Sequence, residues 1–166
     1  MLRDKSLIPL SHQHQHALAL CVRIDRASPI PAGDVRAWQD EIVQHFRNEI
    51  GIHFAAEEKV LFPAACRFEA IAPLVGDLLA EHSLLRDGFR EAESGSMSPD
   101  TLAVLAQRLA AHIRKEERLL FEQLQECMTS EELATLGPKL AFALQDATNA
   151  CILPQAATQL RPREKK

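Results

Sequence analysis

The pattern H-x-x-x-E-E-x-x-L-F occurs twice in this chain, and it constrains the fold more than any other feature of the sequence. The first copy begins at His53 and the second at His112. In each copy a glutamate follows the histidine by four residues, and residues with this spacing lie on one face of an α-helix, about 6 Å apart along its axis. The repeat therefore predicts two helices, each of which presents an imidazole and a carboxylate on a common face.

The remaining sequence also favours helices. Proline and glycine residues near positions 29–33, 63–73 and 94–99 separate long stretches rich in Ala, Leu, Glu, Gln and Arg, which are good helix formers. No stretch alternates convincingly between apolar and polar residues with the period of two that marks a β-strand. We expect Gly137-Pro138 to interrupt the final segment. The residues placed to cap the predicted helices at their N-termini are Ser11, Asp34, Ser98 and Thr129.

These features predict an all-α fold, most simply an up-down-up-down four-helix bundle with a short extra C-terminal helix. The length of 166 residues suits a single domain over 1–166. Its predicted parts are a bundle over about 7–127, a C-terminal helix over about 130–147 and a tail over 148–166.

Polar residues interrupt the apolar stripe that marks the inward face of each predicted helix. On the fourth helix, leucines step by three and four residues up to Leu109, and the stripe then continues through His112 and Glu116 to Leu119. The second helix has an equivalent stripe that ends at Val60. The inward polar positions on the four helices are His14, His53, Glu57, His82, His112 and Glu116.

A layer of histidines and glutamates inside a bundle is costly unless every group has a partner, because buried polar groups need hydrogen bonds and buried carboxylates need a compensating charge. Arg86 is the main inward basic candidate in the sequence. A metal ion satisfies the layer better, since imidazoles and carboxylates are its natural ligands. One H-x-x-x-E helix can supply a terminal nitrogen to one ion and a carboxylate that bridges two. Mixed nitrogen and oxygen ligands without thiolate predict a dinuclear centre of iron, or alternatively manganese, rather than structural zinc.

Three alternatives remain open at the level of sequence. A metal-free polar layer held by ion pairs would place the same residues in the core. His16 competes with His14 as the first-helix ligand, because HQHQH offers several histidines. Glu58 and Glu117 compete with the glutamates that precede them, because a residue five positions beyond the histidine is still within reach of the same face.

Composition narrows the classes of function. A formal net charge of -4 gives no reason to expect a nucleic-acid partner, and no apolar run is long enough to span a membrane. The N-terminal stretch lacks the apolar core of a signal peptide. Four cysteines without C-x-x-C spacing favour reduced thiols and a cytoplasmic location. The chain has no Glu-x-x-His pair and no tyrosine, which argues against a ferritin-like oxidase and against a tyrosyl radical.

The order of the motifs resembles the hemerythrin-like (HHE cation-binding) domain family. One inward histidine is followed by H-x-x-x-E-E-x-x-L-F-P, then E-H-x-x-L, then H-x-x-x-E-E-x-x-L-F, over roughly residues 7–127. The resemblance implies a four-helix bundle that holds a non-haem di-iron centre, in which Glu57 and Glu116 bridge the two ions. The implied metal ligands are His14, His53, Glu57, His82, His112 and Glu116.

Two differences separate the chain from the invertebrate oxygen carriers of that family. Arg86 stands where those proteins have a second histidine on the third helix, and Glu117 stands where they have an aspartate. The chain is therefore similar to the bacterial H-HxxxE-H-HxxxE type. One nitrogen ligand fewer argues against simple reversible oxygen carriage and leaves room for another small ligand.

The resemblance implies two classes of function. The first is a non-haem di-iron protein that binds or senses oxygen, nitric oxide, or iron and redox state. The alternative is a di-iron enzyme that consumes peroxide or reduces oxygen, and the sequence does not decide whether the chain is an enzyme. Arg86 either donates to such a ligand or forms a salt bridge. The predicted small-molecule partner is a diatomic ligand or peroxide. The amphipathic C-terminal segment could pack either on the bundle or on a second copy of the chain in a homodimer, and the sequence does not choose between them.

Overall fold

The computed structural model describes residues 2–147 and 154–159, and within these ranges the chain forms helices and no strand. The all-α prediction is confirmed. The helices are α1 (Ile8–Ala27), α2 (35–65), α3 (Ala72–Ser94), α4 (99–127) and α5 (Ser130–Ala143). α1 packs against α4 and α2, and α3 packs against α2 and α4, so that the four long helices form a bundle. α5 packs on the side of α2.

Short π-helical turns interrupt α2 and α4. Those of α2 span Phe46–Ile50 and Glu57–Leu61, and that of α4 spans Glu116–Leu120. At the end of each turn an amide N–H donates to the carbonyl five residues back, as Phe62 donates to Glu57. Single π turns inside α-helices are frequent at functional sites. Here two of them begin at the glutamate of an H-x-x-x-E motif.

The π turns shift the buried face by one residue, so the predicted stripes are wrong beyond the glutamates. Val60 is only partly buried and Leu119 is 46% exposed, whereas Leu61 and Leu120 are fully buried. Each π turn adds one residue to a helical turn, which moves the inward face one position towards the C-terminus. A regular period of 3.6 residues cannot anticipate this shift.

Two of the predicted N-caps are confirmed. The Ser98 side chain accepts from Thr101 N, and Thr129 forms a capping box with Glu132. Asp34 precedes α2 but makes no side-chain cap hydrogen bond. The prediction at Ser11 is wrong, because α1 begins at Ile8, one turn earlier.

The C-terminal part of the chain differs from the prediction in one respect. Pro138 does not interrupt the final helix, which is continuous over Ser130–Ala143 and is followed by turns up to residue 147. Of the predicted tail, 154–159 lies against α1, where Arg23 Nη1 donates to the Thr158 carbonyl at 3.4 Å. The other tail residues, 148–153 and 160–166, lie outside the described residues.

Two apolar clusters fill the bundle, and a polar layer lies between them. One cluster surrounds Trp38 and Phe89 on the side where α2 begins. The other surrounds Leu78 and Phe121, and α5 covers it with Leu136 and Leu140. Close packing of these clusters holds the intervening side chains in fixed positions. No helix in residues 2–147 and 154–159 is long and apolar enough to cross a membrane.

Candidate metal centre

The structure brings the six predicted residues together in the polar layer. All six are at most 3% exposed. Their potential ligand atoms form two groups, and within each group the atoms lie within 4.8 Å of one another. One group is His14, His53, Glu57 and Glu116, and the other is Glu57, His82, His112 and Glu116.

Each glutamate spans the two groups through its two carboxylate oxygens. Glu57 Oε1 lies 3.2 Å from His53 Nε2, and Glu57 Oε2 lies 3.4 Å from His82 Nε2. Glu116 Oε1 lies 3.3 Å from His112 Nε2, and Glu116 Oε2 lies 3.1 Å from His14 Nε2. Each carboxylate therefore faces one imidazole of each group, and it could bind a cation in both groups.

The outer nitrogen of every one of these histidines has a polar partner on a neighbouring helix. His14 Nδ1 lies 2.7 Å from Glu117 Oε1, and His82 Nδ1 lies 2.8 Å from Glu58 Oε1. The two other pairs are His112 with Glu81 and His53 with Gln13, each at 2.8 Å. A carboxylate or amide oxygen on Nδ1 fixes the tautomer that leaves Nε2 free to bind a metal.

The four residues that pair with the Nδ1 atoms form an outer shell around the polar layer. Their positions bear on the alternatives that the sequence left open. Glu58 and Glu117 face the Nδ1 atoms of histidines, whereas the glutamates before them face the Nε2 atoms. The side chain of His16 is 54% exposed and pairs with Glu49, outside both groups. The geometry therefore favours His14 over His16, and the fourth residue after each histidine over the fifth.

Arg86 forms a salt bridge and does not reach the polar layer's centre. Its Nη1 donates to Glu58 Oε1 at 2.7 Å, and its guanidinium lies over the Phe54 ring, 5.5 Å from the ring centroid. Arg86 thus orients the carboxylate that holds His82. Of the two roles considered for it, the salt-bridging role fits these contacts.

Sequence reasoning missed Gln13 and Glu81 as partners of the histidines. Each directly precedes a histidine of the layer, and each reaches across to the histidine of a different helix. The signal was present as QH at 13–14 and EH at 81–82. These dipeptides could not be interpreted from the sequence, because the direction in which Gln13 and Glu81 point depends on how each helix is rotated about its axis. Only tertiary packing sets that rotation.

Phenylalanine rings from both apolar clusters pack against the histidines of the polar layer. Phe54 stacks on His82 with ring centroids 3.8 Å apart, and Phe121 stacks on His14 at 5.6 Å. Phe62 also packs against His82 at 5.4 Å. These rings exclude water and restrict the rotation of the imidazoles, which preorganises the site.

Burial and close packing perturb the pKa values in the layer. Burial alone would lower the pKa of His14, but the carboxylates of Glu116 and Glu117 outweigh it and raise the pKa to about 9. Burial and the charge of His14 lower the pKa of His53 to about 3. Burial and the neighbouring Glu116 raise the pKa of Glu57. Burial opposes ionisation of Glu116, yet the nearby imidazoles hold its pKa well below its usual range.

The residues fit a metal centre because of the atoms that they leave unsatisfied. The buried Nε2 atoms of His14 and His53 and all four carboxylate oxygens of Glu57 and Glu116 make no well-formed hydrogen bond, although imidazole nitrogens and carboxylate oxygens approach each other to 3.1–3.4 Å. Unsatisfied buried groups of this kind are rare in native proteins, because each costs free energy. Two cations among these nitrogen and oxygen atoms would satisfy them together.

A small cavity adjoins the first group of ligand atoms. Its volume is about 10 Å³, roughly the space that one water molecule needs. His14 and His53 border it on the side of the polar layer, and Gln13 and Glu49 supply its other polar groups. The apolar residues that line it are Ala17, Ile50, Phe54, Leu109 and Ile113.

Comparison with known proteins identifies the family. The family model of the hemerythrin HHE cation binding domain matches residues 9–124, well over half of the chain. No curated protein and no solved structure gives a significant match. The chain therefore belongs to the hemerythrin family of HHE cation-binding domains, which confirms the resemblance seen in the motifs. The bacterial subtype stays a prediction.

We expect the carboxylates on the outer nitrogens to strengthen metal binding without acting as ligands. Glu58→Gln and Glu117→Gln each replace a charged acceptor by a neutral one, so each should lower the affinity for metal about 10- to 100-fold and leave the stoichiometry unchanged. Competition with a chelator of known affinity measures this change. Glu126→Gln, at an exposed position of α4, is the control. Unchanged affinity in both variants would contradict the role assigned to the outer shell.

Proposed function

We propose that this chain binds two iron ions, with manganese as the alternative, and that the resulting non-haem dinuclear centre binds or senses a small molecule such as oxygen or nitric oxide. The proposed ligands are His14, His53, Glu57, His82, His112 and Glu116. The observation that carries this proposal is the arrangement of the two glutamates, each of which faces imidazoles of both groups. The up-down-up-down order of the four helices is part of the proposal.

The chain's own residues define what such a centre would accept. When bound, the ions would supply open coordination positions and redox chemistry. The cavity beside His14 and His53 is small and mostly apolar. It therefore favours a ligand of a few atoms and disfavours an organic substrate. The surrounding phenylalanines keep bulk water away from the centre.

The test is the response of the iron-loaded protein to three small molecules. We expect nitric oxide, and oxygen after reduction, to change the absorption and electron paramagnetic resonance spectra reversibly and in proportion to bound iron. Rapid decomposition of hydrogen peroxide by the loaded protein would favour the alternative, a peroxide-consuming enzyme. Spectra that none of the three changes would contradict a small-molecule site.

His14 and His16 provide a matched pair of substitutions. We expect His14→Ala to lose metal, because it removes a nitrogen that faces Glu116, and His16→Ala to retain two ions per chain. Metal analysis after dialysis against a weak chelator distinguishes them. Loss of metal in His16→Ala alone would show that the first-helix ligand is misassigned.

Other expectations from the sequence stay predictions. They are a cytoplasmic location, a homodimer as one option for the chain, and the lack of a nucleic-acid partner. Cys21, Cys66 and Cys127 have free thiols, and a reducing compartment is compatible with them. Size-exclusion chromatography with light scattering would measure the oligomeric state.

A further inference from the structure

Four seams between neighbouring helices lead from the surface to the polar layer. Each seam contains the outer nitrogen of one histidine and the residue that pairs with it. His14 lies in the α1/α4 seam, His82 in the α2/α3 seam, His112 in the α3/α4 seam and His53 in the α1/α2 seam. Because the layer is buried, an ion that enters the folded protein has to pass through one of these seams.

In three of the four seams, a basic side chain pairs with the carboxylate that contacts the histidine. Arg3 binds Glu117 in the α1/α4 seam and Arg86 binds Glu58 in the α2/α3 seam, each at 2.7 Å. Lys115 pairs with Glu81 in the α3/α4 seam. In each case the positive charge lies on the carboxylate that holds a histidine. A basic group on that carboxylate neutralises its charge, so these three seams attract an approaching cation less than a carboxylate without a basic partner would.

The α1/α2 seam differs at the level of the polar layer, although Arg23 on α1 pairs with Glu41 on α2 further along the same seam. The residue that holds His53 is Gln13, which is neutral. Beyond it lies Glu49, which is 5% exposed and lines the small cavity together with His14 and His53. The partner of Glu49 is His16, whose Nδ1 lies 2.9 Å from Glu49 Oε1. Within the described part of the chain, no lysine or arginine pairs with Glu49.

We propose that the α1/α2 seam is the route by which a divalent metal cation reaches the centre, and that His16 and Glu49 bind the ion transiently on its way. This inference rests on the proposed metal centre. An imidazole nitrogen and a carboxylate oxygen are suitable ligands for iron(II) and for similar divalent ions. Glu49 lines the small cavity together with His14 and His53, and His16 contacts Glu49 from the exposed side.

The solvent exposure of His16 and Glu49 is consistent with an ion that meets His16 first and Glu49 second. The side chain of His16 is 54% exposed and can meet a hydrated ion, whereas that of Glu49 is 7% exposed and faces the interior. An ion held by both has already exchanged part of its water for protein ligands. The next ligands along the cavity are the two histidines of the first group.

The test measures rates of metal uptake and release in the full chain. Cobalt(II) is added without air to metal-free protein at low ionic strength, and the visible absorption of bound cobalt is followed by stopped flow. We expect Glu49→Gln to slow uptake about 10-fold or more, since charge at the mouth of a cleft changes on-rates by 10- to 1,000-fold. Release to an excess of chelator should also slow, because ions leave by the route through which they enter, and it should slow by the same factor when the final affinity is unchanged.

A second variant and a control complete the design. His16→Lys places a basic group next to Glu49, as in the other three seams, and should also slow uptake; its exposed position makes it safe for folding. Glu93→Gln removes an exposed carboxylate of α3 that pairs with Arg47 on α2, and this variant should load at the rate of the unmodified chain.

The possible outcomes distinguish failure of the proposed entry route from failure of the proposed metal centre. Slower uptake and release with two ions still bound would support the route. Unmodified rates in both Glu49→Gln and His16→Lys would overturn it, and so would a lower final stoichiometry in Glu49→Gln, which would make Glu49 a permanent ligand. Failure of the unmodified chain to bind cobalt, iron or manganese would overturn the proposed function, and the route with it.

Discussion

Glu57→Gln should abolish the stabilisation of the protein by metal and, at the same time, make the metal-free protein more stable. In the metal-free protein, burial and the neighbouring Glu116 raise the pKa of Glu57 to about 7. A carboxyl group with a raised pKa in the folded state destabilises the fold above its unfolded pKa, so stability falls as the pH rises through the range from about 4.5 to 7. Glutamine has nearly the same shape and carries no charge.

The expected effects of this substitution are large and have opposite signs. At pH 8 the metal-free variant should be more stable by roughly 3 kcal/mol, from about 1.4 kcal/mol for each pKa unit. With metal at a thousand times its dissociation constant, the unmodified chain should gain about 4 kcal/mol that the variant lacks. Thermal unfolding of both proteins, with and without metal, measures both changes.

Glu126→Gln is the matched control for Glu57→Gln, because it makes the same chemical change at an exposed position of α4. It should leave both stabilities unchanged. A metal-free Glu57→Gln protein that is much less stable than the unmodified chain would contradict the claim that the second buried carboxylate is costly. A variant that keeps its full stabilisation by metal would contradict the bridging role of Glu57.

Metal binding should release protons at neutral pH, and the affinity for metal should fall steeply in acid. The raised pKa of His14, about 9, means that this imidazole is protonated at pH 7 in the metal-free protein, and a metal ion must displace that proton. For each proton released, the affinity should fall about 10-fold per pH unit below pH 7. Binding heats measured in two buffers with different ionisation enthalpies count these protons.

The release of protons has its own control. His14→Ala removes the group that holds the proton, so any ion that it still binds should displace about one proton fewer. Binding that releases no proton at pH 7 would contradict the electrostatic description of the metal-free layer. The same result would contradict the pairing of His14 with Glu116 and Glu117.

The sequence was sufficient to predict the helices and the six residues of the polar layer. The reason is that the spacing of His53 and Glu57, and of His112 and Glu116, places each pair on one helical face whatever the rest of the chain does. The four long helices followed from the breakers between them. The ligand chemistry of these residues already predicted a metal centre, and the family match, which covers the same motifs, supports cation binding independently of the geometry.

Features that depend on backbone hydrogen bonding could not be predicted. The π turns at Glu57–Leu61 and Glu116–Leu120 move the buried face by one residue, so Leu120 is buried where the regular period placed Leu119. Helix propensity gives no signal for such a turn. At the earlier π turn the structure explains the glycine at position 51. A Cβ there would lie 3.0 Å from the Phe46 carbonyl oxygen, which is tighter than most contacts of a side chain.

The outer shell of the site could not be predicted either, because it depends on contacts between distant parts of the chain. Arg3 lies in the N-terminal segment before α1, yet it binds Glu117 on α4. Similarly, the pairing of His53 with Gln13 depends on how α1 is rotated against α2. These contacts distinguish the four seams, and they became visible only in the folded chain.

The most direct test of the dinuclear centre is metal analysis combined with an absorption spectrum, on protein purified both with and without air. We predict about two irons per chain and near-ultraviolet charge-transfer bands that respond to oxygen, peroxide or nitric oxide. A stable, colourless protein that contains no metal and is not reconstituted by iron would contradict the account, and would leave a helical bundle with a polar core.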